Sequence, residues 1–371
     1  MNKFEQLGLS ESLLRAIIDL GFENPTEVQE KAIPLLLEKD TDMVALAQTG
    51  TGKTAAFGFP LIQKIDANNR NTQALILSPT RELCLQNTNE IKNYSKYEKG
   101  INVVAVYGGA SITEQARDIK RGAQIIVATP GRMQDMINRG LVNISQINYC
   151  ILDEADEMLN MGFYEDITAI LSDTPENKST WLFSATMPDV LQNIISTYMA
   201  NNALKIEIDE KILINKNIEH KFLECKPDDK LAILIEFLKT QGKNRGIIFC
   251  KTKVNTQVLS KQLISKNYSC DALHGDLMQS EREKVMRAFK NTKLQILIAT
   301  DMAARGIDID DLSYVIHYHL PEQIENFTHR SGRTARAGKK GISLCLIEPK
   351  EIKRIIEIEK TLGISLKKIP W

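Results

Sequence analysis

Twelve residues constrain this chain more than any others: Met43-Val44-Ala45-Leu46, then Ala47-Gln48-Thr49-Gly50-Thr51-Gly52-Lys53-Thr54. An apolar run meets a glycine-rich turn, and Gly-Lys-Thr opens a helix. Glycines let backbone wrap closely around an anion, because a Cβ would block the approach. Successive N–H groups from Gln48 to Gly52 then point at phosphate oxygens, aided by the helix N-terminus. The pattern assigns Lys53 to the β- and γ-phosphates and the Thr54 hydroxyl to Mg²⁺. Ala47 stands where the usual pattern begins with glycine.

With 371 residues, the chain has length for two or three domains. Its 43% hydrophobic and 25% charged content is ordinary for a globular protein. The start, Met1-Asn2-Lys3-Phe4-Glu5, lacks the apolar core of a signal peptide. No uninterrupted apolar segment approaches the ~20 residues that span a bilayer. The expectation is a cytoplasmic protein without membrane attachment. Cysteines 84, 150, 225, 250, 270 and 345 form no Cys-x-x-Cys, which favours buried free thiols. His317 and His319 alternate on a strand without a third ligand nearby, a weak case for a metal. Residues 1–210 hold 18 Lys+Arg against 28 Asp+Glu, and residues 211–371 hold 29 against 19. The split argues for two units, the basic one suited to a polyanion.

Residues 3–42 read as a helical lead-in, with Ser10 capping one helix and Pro25-Thr26 restarting another. Short apolar runs then alternate with amphipathic stretches: Met43–Leu46, Ala74–Leu77, Val103–Val106, Ile125–Ala128, Tyr149–Leu152 and Thr180–Phe183. Their brevity fits strands of a parallel sheet covered on both faces. Residues 206–218 read as a connection. A second series follows at Glu219–Glu224, Gly246–Cys250, Cys270–Leu273, Gln295–Ala299, Tyr314–His317 and Ile342–Leu346. The division expected is 1–208, a linker at 209–217, and 218–371. Ligands of open α/β sheets bind at the carboxyl ends of strands. Ser78–Arg81, Thr129–Arg132, Asp153-Glu154 and Ser184–Thr186 all follow strands directly, so they should line one edge with the phosphate loop.

Asp153-Glu154-Ala155-Asp156 supplies a metal-holding carboxylate in Asp153 and a base for the attacking water in Glu154. Ser184 and Thr186 offer hydroxyls to the Asp156 carboxylate, or to a helix cap after Pro188. In His329-Arg330-Ser331-Gly332-Arg333-Thr334-Ala335-Arg336, the arginines recur every three residues, as on one face of a helical turn. They lie in the half without a phosphate loop, so Arg333 and Arg336 can serve as arginine fingers across a cleft. After the strand Gln295–Ala299, Thr300 could contact a nucleic-acid phosphate and Gly306 and Asp308 the nucleotide; read alone, the stretch is a βα loop.

Together these stretches resemble the DEAD-box RNA helicases, from Phe4 to about Leu362. Gly21–Gln29 looks like the family's Q motif, with the upstream aromatic at Phe4. The resemblance implies adenine recognition by Gln29, with Phe22 near the base and Thr26 in the same segment. Pro79, Thr80, Arg81, Gly108, Gly109, Thr129 and Arg132 look like the RNA-contacting motifs of the first domain. Gly275, Gln279, Arg282 and Thr300 look like those of the second. Asp156, Ser184, Thr186, His329 and Arg330 would couple the domains. The implied fold is α/β: two tandem RecA-like domains, each a mostly parallel sheet with helices on both faces, joined by a flexible linker. The implied activity is ATP- and Mg²⁺-dependent local unwinding of short RNA duplexes. Closure of the domains bends one strand, and hydrolysis resets the open state.

Hydroxyls, backbone N–H groups and arginines suit phosphate and sugar, so RNA contacts should be sequence-independent. The expected protein is a monomer whose target choice comes from a protein partner or is broad. Two alternatives remain open in the sequence: an ATP-gated RNA clamp, and a translocase on double-stranded DNA. Ala335 stands where many family members have glycine, a mild change on this reading.

Overall fold

The structure is a computed structural model that describes residues 3–48, 50–208, 217–304, 312–335 and 339–370, without the side chains of Gln279 and Glu325. The chain divides into two units, Met1–Asp209 and Glu210–Trp371.

In the first unit the strands are β1 Met43–Leu46, β2 Ala74–Leu77, β3 Val103–Val106, β4 Ile125–Ala128, β5 Tyr149–Asp153, β6 Ser179–Ser184 and β7 Leu204–Glu207. The helices are α1 Glu11–Asp19, α2 Glu27–Glu38, α3 Lys53–Lys64, α4 Arg81–Tyr94, α5 Ile112–Lys120, α6 Pro130–Asn138, α7 Ala155–Asn160, α8 Tyr164–Asp173 and α9 Asp189–Tyr198. Every strand pairing is parallel, in the order β3-β4-β2-β5-β6-β1-β7. Side chains alternate across the sheet, and both faces are apolar. Met43, Ala45, Ile76, Ile151 and Phe183 pack against α1–α4. Val44, Leu75, Leu152 and Leu182 pack against α6, α8 and α9. A short strand with no polar face has to be covered on both sides, as the continuous apolar runs required.

The second unit repeats this design. Its strands are β8 Ile218–Glu224, β9 Gly246–Phe249, β10 Cys270–Leu273, β11 Ile296–Ala299, β12 Tyr314–His317, β13 Gly341–Ile347 and β14 Lys367–Lys368, in the parallel order β10-β11-β9-β12-β13-β8-β14. Its helices are α10 Lys230–Gln241, α11 Lys253–Ile264, α12 Gln279–Lys290, α13 Asp301–Ala304, α14 Ile324–Ser331 and α15 Ile352–Leu362. Ile248, Ile298 and Ile316 face α10 and α11, whereas Ile247, Leu297 and Val315 face α12. All six cysteines are buried and free. His317 hydrogen bonds Ser331 and Ser343 through Nε2 and stacks on Phe327 at 4.6 Å. His319 accepts from the Lys251 N–H at 3.4 Å, and both histidines meet Arg330, His317 through Nδ1 and His319 through its carbonyl.

Two sequence expectations need correction. The segment expected to connect the units from residue 206 begins inside a strand: β7 pairs with β1, Leu46 opposite Glu207. Arg330 and Arg333 do not share one helical face either. α14 stops at Ser331, with Gly332 as its C-cap. Beyond it the Thr334 hydroxyl donates to the Leu312 carbonyl, and the Leu312 N–H donates to the Arg333 carbonyl at 3.3 Å. The backbone is drawn into a bridge beside β12, which overrides the three-residue repeat. Arg336 lies outside the described residues, as do Thr49, Gly306 and Asp308.

Ala335 follows that bridge with φ +60° and is 1% exposed. A left-handed L-residue costs about 1–2 kcal/mol. Glycine would relieve this, but it adds unfolded-state entropy of about 0.5–1 kcal/mol and removes a buried methyl of about 0.8 kcal/mol. Ala335→Gly is therefore expected to be neutral within about 0.5 kcal/mol. Ala335→Val brings a β-branched side chain to a left-handed, buried position. It should destabilise the second unit by about 2 kcal/mol or more, lowering its Tm by about 5 °C. Calorimetry of both variants checks this, and a valine variant as stable as the parent would contradict the backbone assignment.

Candidate nucleotide site and nucleic-acid interface

The phosphate loop joins β1 to α3 through two glycines in the left-handed region, Gly50 at φ +83° and Gly52 at φ +89°. Gly52 has a second reason to lack a side chain: a Cβ there would collide with the Gln29 amide. Gln29 is the third residue of α2. Its Oε1 accepts from the Thr26 N–H at 3.0 Å, closing a capping box, and its Nε2 donates to the Gly52 carbonyl at 3.0 Å. Gln29 thus braces the loop, in addition to any contact it makes with a base. The Thr51 hydroxyl donates to the Gln48 carbonyl at 2.7 Å. Lys53 is buried, and its ammonium donates to the Ala47 carbonyl at 3.1 Å, curled inside the loop it would leave for a phosphate.

Phe22 is half-buried and stacks beside Phe4 at 6.5 Å, with Phe59 and Tyr94 edge-on to it. Phe4 is buried in this cluster, so its place is behind Phe22 rather than on a surface a base can reach.

Asp153 ends β5 and is 3% exposed. Burial pushes its carboxyl above the usual range, while the Lys53 ammonium and an N–H of Asn87 pull the other way. Glu154, the next residue, has φ +52°, a rare backbone for a side chain of its size. Its carbonyl accepts from Glu157 and Met158 as α7 begins. The Asp156 Oδ2 accepts from both the N–H (2.9 Å) and the hydroxyl (2.8 Å) of Thr186. Ser184 behaves differently from expectation. Its hydroxyl accepts from the Asp156 N–H and donates to the Thr186 carbonyl at 2.7 Å, so it holds the turn and not the carboxylate. Pro188 caps α9 with no side-chain hydrogen bond, which leaves both hydroxyls to this network.

Sequence reasoning missed α4. Asn87 is fully buried. Its Nδ2 donates to the Asp153 Oδ2 at 2.8 Å and the Ser78 hydroxyl at 3.1 Å, and its Oδ1 accepts from the Thr54 hydroxyl at 3.3 Å. One turn on, Glu90 accepts from Gln86 at 2.8 Å and Tyr94 at 3.0 Å. Burial, chiefly, raises the Glu90 carboxyl, and the Asp153 charge adds to it. The signal was present: Leu83, Cys84, Asn87, Thr88, Ile91 and Tyr94 form the buried face of α4, and only one of them is an amide. A polar residue at a core position has to find partners.

Strand order separates these loops from a second set. The loops after β1, β5 and β6 carry the groups above, and those after β2, β3 and β4 lie in the other half of the same edge. There the Arg81 guanidinium fills the space over Gly108 and Gly109, with Gly109 at φ +81°. Arg132 donates to the Ala110 carbonyl at 3.1 Å and to Gln115 at 3.3 Å. Thr80 caps α4 by accepting from Leu83 at 3.2 Å, and Pro79, Thr80 and Thr129 are buried. Arginine and glycine rather than carboxylates dominate this half.

In the second unit the loops after β10 and β11 are neighbours. Gly275 is exposed, Arg282 reaches the Ala303 carbonyl at 3.4 Å, and Thr300 precedes α13. Arg330 is buried and fully engaged. It grips Asp301 with two nitrogens at 2.5 and 2.6 Å, donates to the His319 carbonyl at 2.7 Å, and lies over the Phe249 ring. Removing one partner of a fully buried pair typically costs about 3–5 kcal/mol, and the cost is smaller here because the Asp301 side chain is 25% exposed. Arg330 therefore anchors α14 to the loop after β11, while Arg333 is half-buried and His329 lies one residue before the anchor.

The site's donors suit Mg²⁺. The Asp153 carboxylate and the Thr54 hydroxyl are hard oxygen donors on either side of Asn87, and a buried carboxylate raised by desolvation is one a cation would relieve. Among the described residues no group of three His, Cys, Asp or Glu could hold a metal alone, so phosphate and water would have to complete the shell.

Comparison with known proteins agrees with this geometry. Residues 26–194 match the DEAD/DEAH box helicase family, and residues 229–338 match the helicase conserved C-terminal domain. The ATP-dependent RNA helicase CshA of Limosilactobacillus reuteri is 45% identical over 98% of this chain and 73% of its own length. The Geobacillus kaustophilus CshA is 42% identical over 97% and 77%. A DEAD box protein from Methanococcus jannaschii is 45% identical, with a TM-score of 0.57 over 99% of this chain and 98% of that one. Saccharomyces cerevisiae Dbp5, solved with RNA and ADP BeF3, is 32% identical, with a TM-score of 0.90 over 100% and 96%. Two RecA-like units, a phosphate loop backed by an Asp-Glu-Ala-Asp turn, and these relatives together show that the chain belongs to the DEAD-box ATP-dependent RNA helicases.

Proposed function

We propose that ATP binds with Mg²⁺ on the loops after β1, β5 and β6, and that RNA lies on the loops after β2–β4 and after β10–β11. Closure of the two units on both ligands then bends one RNA strand and opens short duplexes. The observation that carries this reading is the division of one sheet edge: carboxylates and a phosphate loop in one half, arginines and glycines in the other. Backbone N–H groups of Gln48–Gly52 and the Lys53 ammonium hold the polyphosphate, and Phe22, Thr26 and Gln29 face the base. Thr54, and Asp153 through water, would hold Mg²⁺, which would supply positive charge against the charge that develops on transfer. Water attacks the γ-phosphorus while Glu154 takes its proton. The bond to the β–γ bridging oxygen breaks, and ADP carries that electron pair away. Arg333 and Arg336 approach the transferring group from the second unit. Asp156, Ser184, Thr186, His329 and Arg330 couple this event to the RNA loops. Gly108, Gly109, Gly275, Gln279 and Thr300 meet the RNA backbone. In this reading the protein works in the cytoplasm as a single chain, and a protein partner supplies the target.

Hydrolysis is expected to be stimulated by single-stranded RNA. With about four phosphate contacts and a slope of about −0.7 per contact, RNA affinity should fall roughly 50-fold between about 50 and 200 mM salt. ATP turnover measured with and without RNA at both salts checks this, and RNA-independent turnover would reject the closure model. Glu154→Gln should lose about 10²-fold or more in turnover and retain RNA and ATP binding; turnover at the parental rate would remove it as base. Arg333→Ala should lose about 10³-fold in kcat and keep nucleotide affinity within a few-fold, measured by single-turnover hydrolysis beside fluorescent-nucleotide titration.

A further inference from the structure

The Asn87 amide is oriented by its neighbours. An ionised Asp153 can only accept, so the Nδ2 group must face it, and the carbonyl must face Thr54. The Thr54 hydroxyl proton is thereby committed to α4, whether Asn87 or Glu90 receives it, because both neighbours accept. The hydroxyl lone pairs are left for a cation. One oxygen of Asp153, Oδ2, is fixed by the amide.

We propose that Asn87 is a positioning residue of the nucleotide site: its buried amide ties the Thr54 hydroxyl to the Asp153 carboxylate and sets the geometry in which Mg²⁺ and nucleotide bind together. The proposal rests on the reading of Thr54 and Asp153 as the groups that hold Mg²⁺. The tie spans three segments that sequence separates: the start of α3, the middle of α4 and the end of β5. The buried Ser78 hydroxyl also accepts from the Asn87 Nδ2 at 3.1 Å, outside the link between Thr54 and Asp153. A residue that served only as filler would be replaced by leucine, of similar volume, at a cost confined to stability.

The test is the affinity of fluorescent ADP in excess Mg²⁺ and in EDTA, with Tm measured alongside. In the parent, Mg²⁺ tightens binding. In Asn87→Leu that enhancement should fall by about tenfold, the size of a lost hydrogen bond to a charged group, while affinity in EDTA stays within about twofold. Asn87→Ser, small enough to fit and too short to bridge both partners, carries the same expectation if the leucine variant does not fold. Ser78→Ala leaves the tie in place and should keep the parental enhancement. An unchanged enhancement in Asn87→Leu or Asn87→Ser, or an equal loss in Ser78→Ala, overturns the proposal. A parent whose ADP affinity ignores Mg²⁺ overturns the metal assignment itself.

Discussion

The Gln29 amide occupies the space that a side chain at position 52 would need. That contact makes one glycine obligatory and, through it, sets the shape of the phosphate loop. It also explains why helices ahead of the first strand belong to the nucleotide site: α2 is capped by the same amide that braces the loop. Thr26, Gln29 and Gly52 form a continuous set of hydrogen bonds, so one side chain links the start of α2 to the loop before α3.

The rest of the chemistry follows from burial at strand ends. Asp153 and Asp156 sit three residues apart, both buried, yet they meet different partners. Asp153 faces Asn87 and Lys53 with few donors, an arrangement that leaves a charge for a ligand to complete. Asp156 is satisfied by Thr186 and the Glu157 N–H and needs nothing further. Adjacent carboxylates thereby divide into one that awaits a partner and one that fixes a turn. In the second unit the Arg330–Asp301 pair, buried on the arginine side and part-buried on the aspartate side, is the counterpart of that fixed turn: charge spent on architecture.

Much of this was legible in the sequence. The runs Met43–Leu46 and Ala74–Leu77 are strands at those bounds because four apolar residues between turn signals have few other ways to be buried. β7 escaped because Lys205 and Glu207 alternate with its apolar residues, as they do on an edge strand, and β14 is two exposed lysines held only by pairing with β8. The arginine stripe misled because helical periodicity says nothing about where a helix stops, and Gly332 with the Leu312 bridge decides that. The bracing role of Gln29 and the tie through Asn87 depend on which segments the fold brings together, and spacing along the chain does not carry that information.

Where the chain leaves the first unit has a mechanical consequence. β7 lies parallel to β1, and the Ile208 N–H bonds the Leu46 carbonyl at 3.0 Å, beside the start of the phosphate loop. Tension directed along the axis of β7 would load its hydrogen bonds to β1 in shear, so that they yield together rather than peel one by one. The strand that feeds the phosphate loop is therefore stiffly tethered to the exit of its own domain, and force on the tether is delivered there before it is felt anywhere else.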